Sequence, residues 1–195
     1  MVLTPFMGSD EVWGRLDPLL RGRWSPLTFD PAHEVATEDV ELLLEAARWA
    51  PSAGNSQPWA FLTARRGDAT HRRLVDRLAP SSARWAPAAS LLVVNLCQRW
   101  VPDTDWPYSD FAHYDLGQAV AHMTIQAQAM GLAARQFRAF DADGIAAEFE
   151  VPRHWEVTTM TAFGRIPAGI EPHAALVPDQ VGPPRTRRTD LTRPT

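Results

Sequence analysis

At 195 residues and 45% hydrophobic content, the chain suits one domain, or one protomer of an intertwined oligomer, with enough apolar mass for a proper core. A formal net charge of −4 provides no global basic field to recruit nucleic acid or an anionic membrane. All 19 basic residues are Arg, which excludes a Schiff-base lysine, pyridoxal-phosphate chemistry and a P-loop, and leaves anions to guanidinium groups and backbone amides.

In chain order, Ser9, Asp10 and Glu11 read as a helix start with Val12 and Leu16 on one face, and Asp17-Pro18 as a second start. Arg21 and Arg23 then stand beside Ser25, a set that can serve a phosphate through a guanidinium fork and a hydroxyl; Arg and Ser at a helix end are more often simply solvated. Thr37 is a plausible N-cap for an amphipathic helix, with Glu38, Asp39 and Glu41 in its first turn and Val40, Leu43, Leu44 and Ala47 at helical spacing. Pro51 stops that helix. The polar connection Ser52, Ala53, Gly54, Asn55, Ser56 and Gln57 follows, and Pro58, Trp59 and Phe61 open an extended apolar segment. Aimed donors beside apolar walls suit the edge of a flat heteroaromatic ligand, whereas the bland reading is a solvated helix-to-strand loop.

Trp59 to Ala64 reads as a strand, residues 65–68 as a turn, and Ala69 to Ala79 as a helix with Arg72, Arg73 and Arg77 outside and Leu74, Val75 and Leu78 inside. Pro80 to Ala89, with Ser82 and Trp85, reads as a loop. Leu91 to Leu96 has the character of a strand buried on both faces, and the single cysteine, Cys97, reads as a small buried hydrophobe. Trp100 to Tyr114 is too rich in Pro and Asp for a regular element, and could serve as a lid or as an aromatic plug. Asp115 to Met130, ended by Gly131, reads as a core or dimer-core helix, with Gly117, Ala121 and Ala127 small enough for another helix to approach. Asp141 caps a short helix ending near Glu150, and Val157 to Phe163 reads as a strand. From Gly164 the proline-rich tail has no period of its own, so it is either disordered or laid against another surface, and Arg185, Arg187 and Arg188 are its densest charge.

No GxGxxG, GxSxG, HExxH or EF-hand string occurs, and the six histidines, of which His113 and His122 are the closest pair, lack ligand spacing. No basic stretch leads into an apolar one at the N-terminus and no apolar run approaches ~18 residues, so the expectation is a soluble cytoplasmic protein with no nucleic-acid or membrane partner.

Taken together, RWSPLTF, the later APSAGNSQPW and the Ala-rich helix before QFRAFD resemble the FMN-dependent nitroreductase family, most closely over Arg21 to Ala64. The resemblance implies an α+β fold: one nitroreductase-like domain over residues 1–195, with a central, mainly antiparallel sheet flanked by helices. It also implies an intertwined homodimer in which residues 164–195 extend onto the partner. FMN would lie at the dimer interface, with Arg23, Ser25, Arg185 and Arg187 on its phosphate and Trp24 nearby. Pro51, Ser52, Ala53, Asn55 and Gln57 of the other protomer would line the ring and ribityl chain, and Gln136, Phe137, Arg138 and Ala139 would pass the N5 edge. Leu27 stands where the family usually has a basic residue at the flavin's pyrimidine edge, Ser82 where it often has Asn, and Ala139 replaces a common Gly. These departures imply a lower flavin potential or weaker FMN retention.

The activity implied is NAD(P)H-dependent, ping-pong reduction of nitroaromatic or quinone-like acceptors, with no catalytic side chain required, no metal, and Trp106, Tyr108 and Phe111 as an aromatic wall for the acceptor. Reductive dehalogenation, flavin-dependent oxidation and flavin sequestration without turnover remain open alternatives within the resemblance. An arginine-rich tail that binds nucleic acid is a further reading, against which the acidic balance weighs.

Overall fold

The structure, a computed structural model, describes residues 15–170. In chain order its elements are α1 (Pro18–Arg21), α2 (Thr37–Arg48), β1 (Trp59–Arg65), α3 (Ala69–Val75), α4 (Pro80–Ala83), β2 (Leu91–Gln98), α5 (Ala112–Ala129), β3 (Ala133–Phe137), α6 (Ala142–Glu148) and β4 (Trp155–Gly164). The helix expected at Ser9 and the tail with Arg185, Arg187 and Arg188 lie outside the described residues.

The four strands form one sheet in the order β1-β2-β4-β3, with every pairing antiparallel. Alternation along β2 explains the layering, because successive side chains of a strand point to opposite faces. Leu92 and Val94 pack with Leu74 of α3, Ile145 of α6, Trp85, Phe140 and Met160. Leu91 and Val93 pack with Val40, Leu43 and Ala47 of α2, Ala119, Met123 and Ala127 of α5, and Phe163. Helices therefore cover both faces, the expected α+β arrangement. Near the start of α5 a smaller cluster of Cys97, Ala112, Leu116 and Val120 closes the same face against Trp59 and Phe61. Burial pushes the Cys97 thiol up to about 11, so it stays protonated at neutral pH and behaves as the small hydrophobe expected.

Helix ends follow from local chemistry. The Asp17 carboxylate caps α1 by accepting the Leu19 N–H at 2.8 Å, and the Asp141 carboxylate caps α6 by accepting the Gly144 N–H at 2.9 Å. Gly131, at φ 73°, lets α5 stop with the Leu132 N–H on the Ala127 carbonyl (2.8 Å) and the Gly131 N–H on the Gln128 carbonyl (3.1 Å).

Beyond shifts of one or two residues at strand and helix ends, four features differ from the sequence-based expectations. Thr37 is not the N-cap of α2: Ala36 takes that position without a side-chain bond, and the Thr37 hydroxyl accepts from Arg65 at 2.8 Å. Helix α3 ends at Val75 and not at Ala79, because Leu78 pairs with Phe140 and the Ala79 N–H bonds to the Ala139 carbonyl at 3.1 Å. Residues 80–89 are not a plain loop: Pro80, at the first helical position, opens α4, and a 3-10 turn follows at Ala86–Ala88. Helix α5 begins at Ala112, so Asp115 lies inside its first turn.

One buried imidazole, His71, and one half-buried imidazole, His33, set an acid limit on stability. The pKa of His71 and of His33 is lowered from 6.5, chiefly by burial, with Arg66 acting further on His71 and Arg165 on His33. As pH falls below 6.5 the unfolded chain takes up these protons before the folded one does, so their contribution is intact above that value and is lost on acidification. The urea midpoint should therefore fall between about pH 7.5 and about pH 5.5, and the double variant His33→Gln/His71→Gln should flatten that slope; an equally steep slope in the variant would assign it to other groups.

Candidate functional site

The resemblance directs attention to two groups of residues, which the fold places at opposite ends of α5. The first follows α1. Arg23 Nη1 donates to the Ser25 hydroxyl at 3.3 Å, and Ser25 is exposed, so a guanidinium and a hydroxyl share one solvent-facing spot suited to an oxyanion. Trp24 between them is half-buried. The segment is fixed from three sides. Phe29 is buried in the core, the Asp30 N–H bonds to the Arg165 carbonyl at 2.8 Å, and Arg135 of β3 donates to the Ser25 carbonyl at 2.8 Å while lying 5.1 Å from the centre of the Trp85 ring.

Arg135 thus joins the 23–25 segment to β3, the strand that carries Gln136 and Phe137. Nothing in the sequence around it marks it out, because in an extended strand only alternation tells which face a side chain takes. Next to it, Gln136 is exposed and donates to the Thr124 hydroxyl at 3.3 Å. Phe137 packs edge-on against Trp85, with ring centres 4.9 Å apart, and Arg138 lies over Phe140 at 4.9 Å. Ala139 is half-buried, and its carbonyl takes both the Ala79 N–H and the Ser82 hydroxyl.

Two predicted contact residues are committed elsewhere. Leu27 is 9% exposed and belongs to the main core cluster, and Ser82 is 1% exposed with its hydroxyl turned to the Ala79 and Ala139 carbonyls. Neither presents a polar group outward.

The second group is the Ser52–Gln57 loop. Gly54, Asn55 and Gln57 have φ of 58°, 56° and 47°, the left-handed region, which for the two non-glycine residues costs roughly 1–2 kcal/mol each. The conformation persists because it is tied at several points. Within the loop, the Gln57 N–H bonds to the Ser52 hydroxyl at 3.0 Å and the Gln57 amide reaches Asn55 Oδ1 at 3.2 Å. From outside, the Ala53 N–H donates to Asp115 Oδ2 at 3.0 Å, and the Tyr108 hydroxyl donates to the Ser56 carbonyl at 2.8 Å. Pro51, Asn55 and Gln57 are exposed; Ser52 and Ala53 are half-buried.

Residues 99–111 form a fastened hairpin beside this loop. Trp100 pairs with Pro107, the Val101 N–H bonds to the Trp106 carbonyl at 2.9 Å, and the Tyr108 N–H to the Arg99 carbonyl at 2.9 Å. Of the three aromatic residues suggested as an acceptor wall, Tyr108 is half-buried with its hydroxyl engaged, while Trp106 and Phe111 are 76% and 58% exposed. A cavity of about 720 Å³ on the hairpin, lined by Trp100, Asp103, Asp105, Arg153 and His154 among others, contains none of the predicted site residues. No group of three or more His, Cys, Asp or Glu among the described residues is placed to hold a metal.

Asp115 holds the loop at one end of α5, and Gly22, next to Arg23, lies against the Gln128 side chain at the other. At 1.5 Å rise per residue these points are about 20 Å apart along the helix. One chain therefore does not bring its two groups together.

Residues 20–90, which contain Arg23, Ser25 and the whole loop, match the model of the nitroreductase family. The resemblance to that family holds. Over 60 residues the chain is 40% identical to the major NAD(P)H-flavin oxidoreductase of Aliivibrio fischeri, covering 31% of this chain and 27% of that protein. Protein DrgA of Synechocystis is 25% identical over 164 residues, covering 70% of this chain and 77% of that protein. The chain spans between 21% and 53% of the length of that Aliivibrio protein and of two other curated relatives that it matches. A crystal structure described as an oxidoreductase containing FMN superposes with a TM-score of 0.80 at 26% identity, covering 99% of this chain and 96% of that one. The nitroreductase-like fold thus extends well beyond the matched segment.

The Tyr108 tie can be weighed directly. Tyr108→Phe keeps the ring and removes one neutral hydrogen bond, worth about 0.5–1.5 kcal/mol. Amide exchange over residues 53–57 should quicken several-fold while β2 keeps its protection; unchanged exchange in the loop would show that the other ties suffice.

Proposed function

We propose that this chain is an FMN-dependent oxidoreductase of the nitroreductase type, working as a homodimer and passing two electrons from NAD(P)H to a nitroaromatic or quinone-like acceptor. The observation that carries the reading is the separation of the Arg23–Ser25 pair from the Ser52–Gln57 loop by the length of α5, inside a segment that matches the nitroreductase family. A second copy can supply the missing half. The exposed small residues of α5, Gly117 and Ala121, and the exposed Phe111 and Tyr114 give that copy a surface to cover.

The residues fit FMN in part. Arg23 and Ser25 suit its phosphate, and the side chains of Asn55 and Gln57 suit the polar rim of its ring and chain. Pro51, Ser52 and Ala53 shape the loop behind them, and Gln136 and Phe137 at the end of β3, with Arg138 and Ala139 just after it, would face the N5 side. Arg185 and Arg187 complete the phosphate set in this reading, and residues 164–195 extend onto the partner within one domain per chain; both features fall mainly outside the described residues. Bound FMN supplies the two-electron chemistry, so the protein's task is to hold one face of the ring open for donor and acceptor in turn, which gives ping-pong kinetics. In this reading Trp106 and Phe111, both exposed, would meet the acceptor beside Tyr108.

Leu27 in the core and the engaged Ser82 hydroxyl leave the pyrimidine edge with fewer polar partners. This favours weaker FMN retention or a lower flavin potential than a basic residue at position 27 would give. The same observation supports the second reading, a flavin-holding protein without turnover.

An absorbance spectrum before and after anaerobic NADH or NADPH separates the two. Flavin bands that bleach with a donor and return with a quinone or nitroaromatic establish the reductase; bands that never bleach favour flavin holding, and protein that stays colourless with added FMN removes both. Arg23→Ala should weaken FMN binding by about one to two decades, because a charge-assisted bond contributes roughly 1.5–3 kcal/mol, and an unchanged affinity would take Arg23 off the phosphate. Trp106→Ala should raise the acceptor KM with little change in donor kinetics; unchanged acceptor kinetics would make Trp106 mere loop packing.

A further inference from the structure

Asp115 has no part in the activity proposed above, yet it is only 3% exposed, in the first turn of α5 among Ala112, Leu116 and Cys97. A carboxylate in so dry a place needs a partner, and the partner here belongs to another element: the Ala53 N–H, 3.0 Å from Oδ2. The first turn of a helix also favours negative charge, and an amide bonds more strongly to a carboxylate than to a neutral acceptor.

What this bond determines is the aim of the loop. Ala53 opens the tight turn in which Gly54 and Asn55 adopt positive φ. With its N–H turned inward onto Asp115, the turn faces outward through the side chains of Asn55 and Gln57, both exposed. We propose that Asp115 is the positioning residue of the ligand loop: its carboxylate pins the Ala53 peptide, so that Asn55 and Gln57 are presented in the conformation that meets the flavin. The proposal rests on the FMN reading. It assigns to a helix residue 62 positions away in sequence a function that the bonds within the loop cannot perform, since they tie the loop to itself, and that the Tyr108 hydroxyl does not duplicate, since it holds the Ser56 carbonyl and not the Ala53 peptide.

A residue that merely supported the helix would behave differently on substitution. Asp115→Asn keeps an acceptor oxygen in place, whereas Asp115→Ala removes it. Ala53→Pro removes the donor and leaves α5 untouched, and the extended Ser52 (φ −146°, ψ 153°) already has the backbone that precedes proline. FMN affinity is read by fluorescence titration of the full-length proteins, together with the visible band of the bound flavin and amide exchange over residues 53–57 without ligand. Asp115→Ala and Ala53→Pro should each weaken binding about ten- to hundredfold, shift the bound-flavin band and quicken loop exchange; Asp115→Asn should stay within about threefold of wild type.

Wild-type binding of Asp115→Ala, or an Asp115→Asn as impaired as the alanine variant, overturns the positioning role while leaving the FMN reading intact. Wild-type protein that takes up no FMN overturns that reading, and this proposal with it. Should Asp115→Ala not fold, Ala53→Pro and Asp115→Asn decide the matter, because a tight-binding Ala53→Pro is as fatal to the proposal.

Discussion

The arrangement of this protein depends on burying β2 on both faces. A strand with apolar side chains above and below must have a helical layer on each side, and α5 is the long element of one of them. A polar ligand finds few partners inside such a sheet, because beside Asn95, whose amide is already spent on the Thr159 and Thr161 hydroxyls, its interior is mainly Leu, Val, Met and Ala. Groups able to hold one are therefore pushed to the margins, and the ends of α5 are where the chain must leave the layer. Asp115 near its start and Gly22 near its finish mark those two margins.

Both margins are built from short polar ties laid over a rigid base. Around Ser25 the ties are a backbone clip at Asp30 and the Arg135 guanidinium, which also uses the face of Trp85. Around Ala53 they are a buried carboxylate and a tyrosine hydroxyl, and here the ties must outweigh left-handed backbone at Asn55 and Gln57. Neutral hydrogen bonds contribute about 1 kcal/mol net and charge-assisted ones about twice that. The sum of such ties is comparable to the cost of the strained residues, which is why the loop can be ordered without being buried.

Periodicity made the elements legible. The alternation of β2, the helical spacing of Val40, Leu43 and Ala47, and the stops at Pro51 and Gly131 all report a local constraint that the sequence carries within a few residues. Thr37 misled because its hydroxyl had a better partner in Arg65, across the fold, and α3 ended early because Leu78 and Ala79 pair with residues some sixty positions on. The loop itself could be located from PSAGNSQPW, but not what holds it. An aspartate in the first turn of a helix reads as a dipole partner wherever it points, and nothing local distinguishes Asp115 from Asp143, which lies in the first turn of α6. Arg135 and Tyr108 were hidden in the same way, since long-range pairing leaves no spacing signature.

Leu27 and Ser82 carry this contrast furthest. From sequence alone they are gaps in a set of ligand contacts, two places where a polar side chain is missing. Folded, each has work of another kind: Leu27 fills the core beside the Arg23–Ser25 segment, and Ser82 bonds the carbonyl of Ala139, holding the end of the β3 segment against the α4 turn. A basic residue placed at 27 would have to leave the core to reach a ligand, exposing the apolar surface that Leu27 now covers. The departures are thus coupled to packing. A polar side chain turned outward at either position would disturb the core packing of Leu27 or the bonds that Ser82 makes to the Ala79 and Ala139 carbonyls.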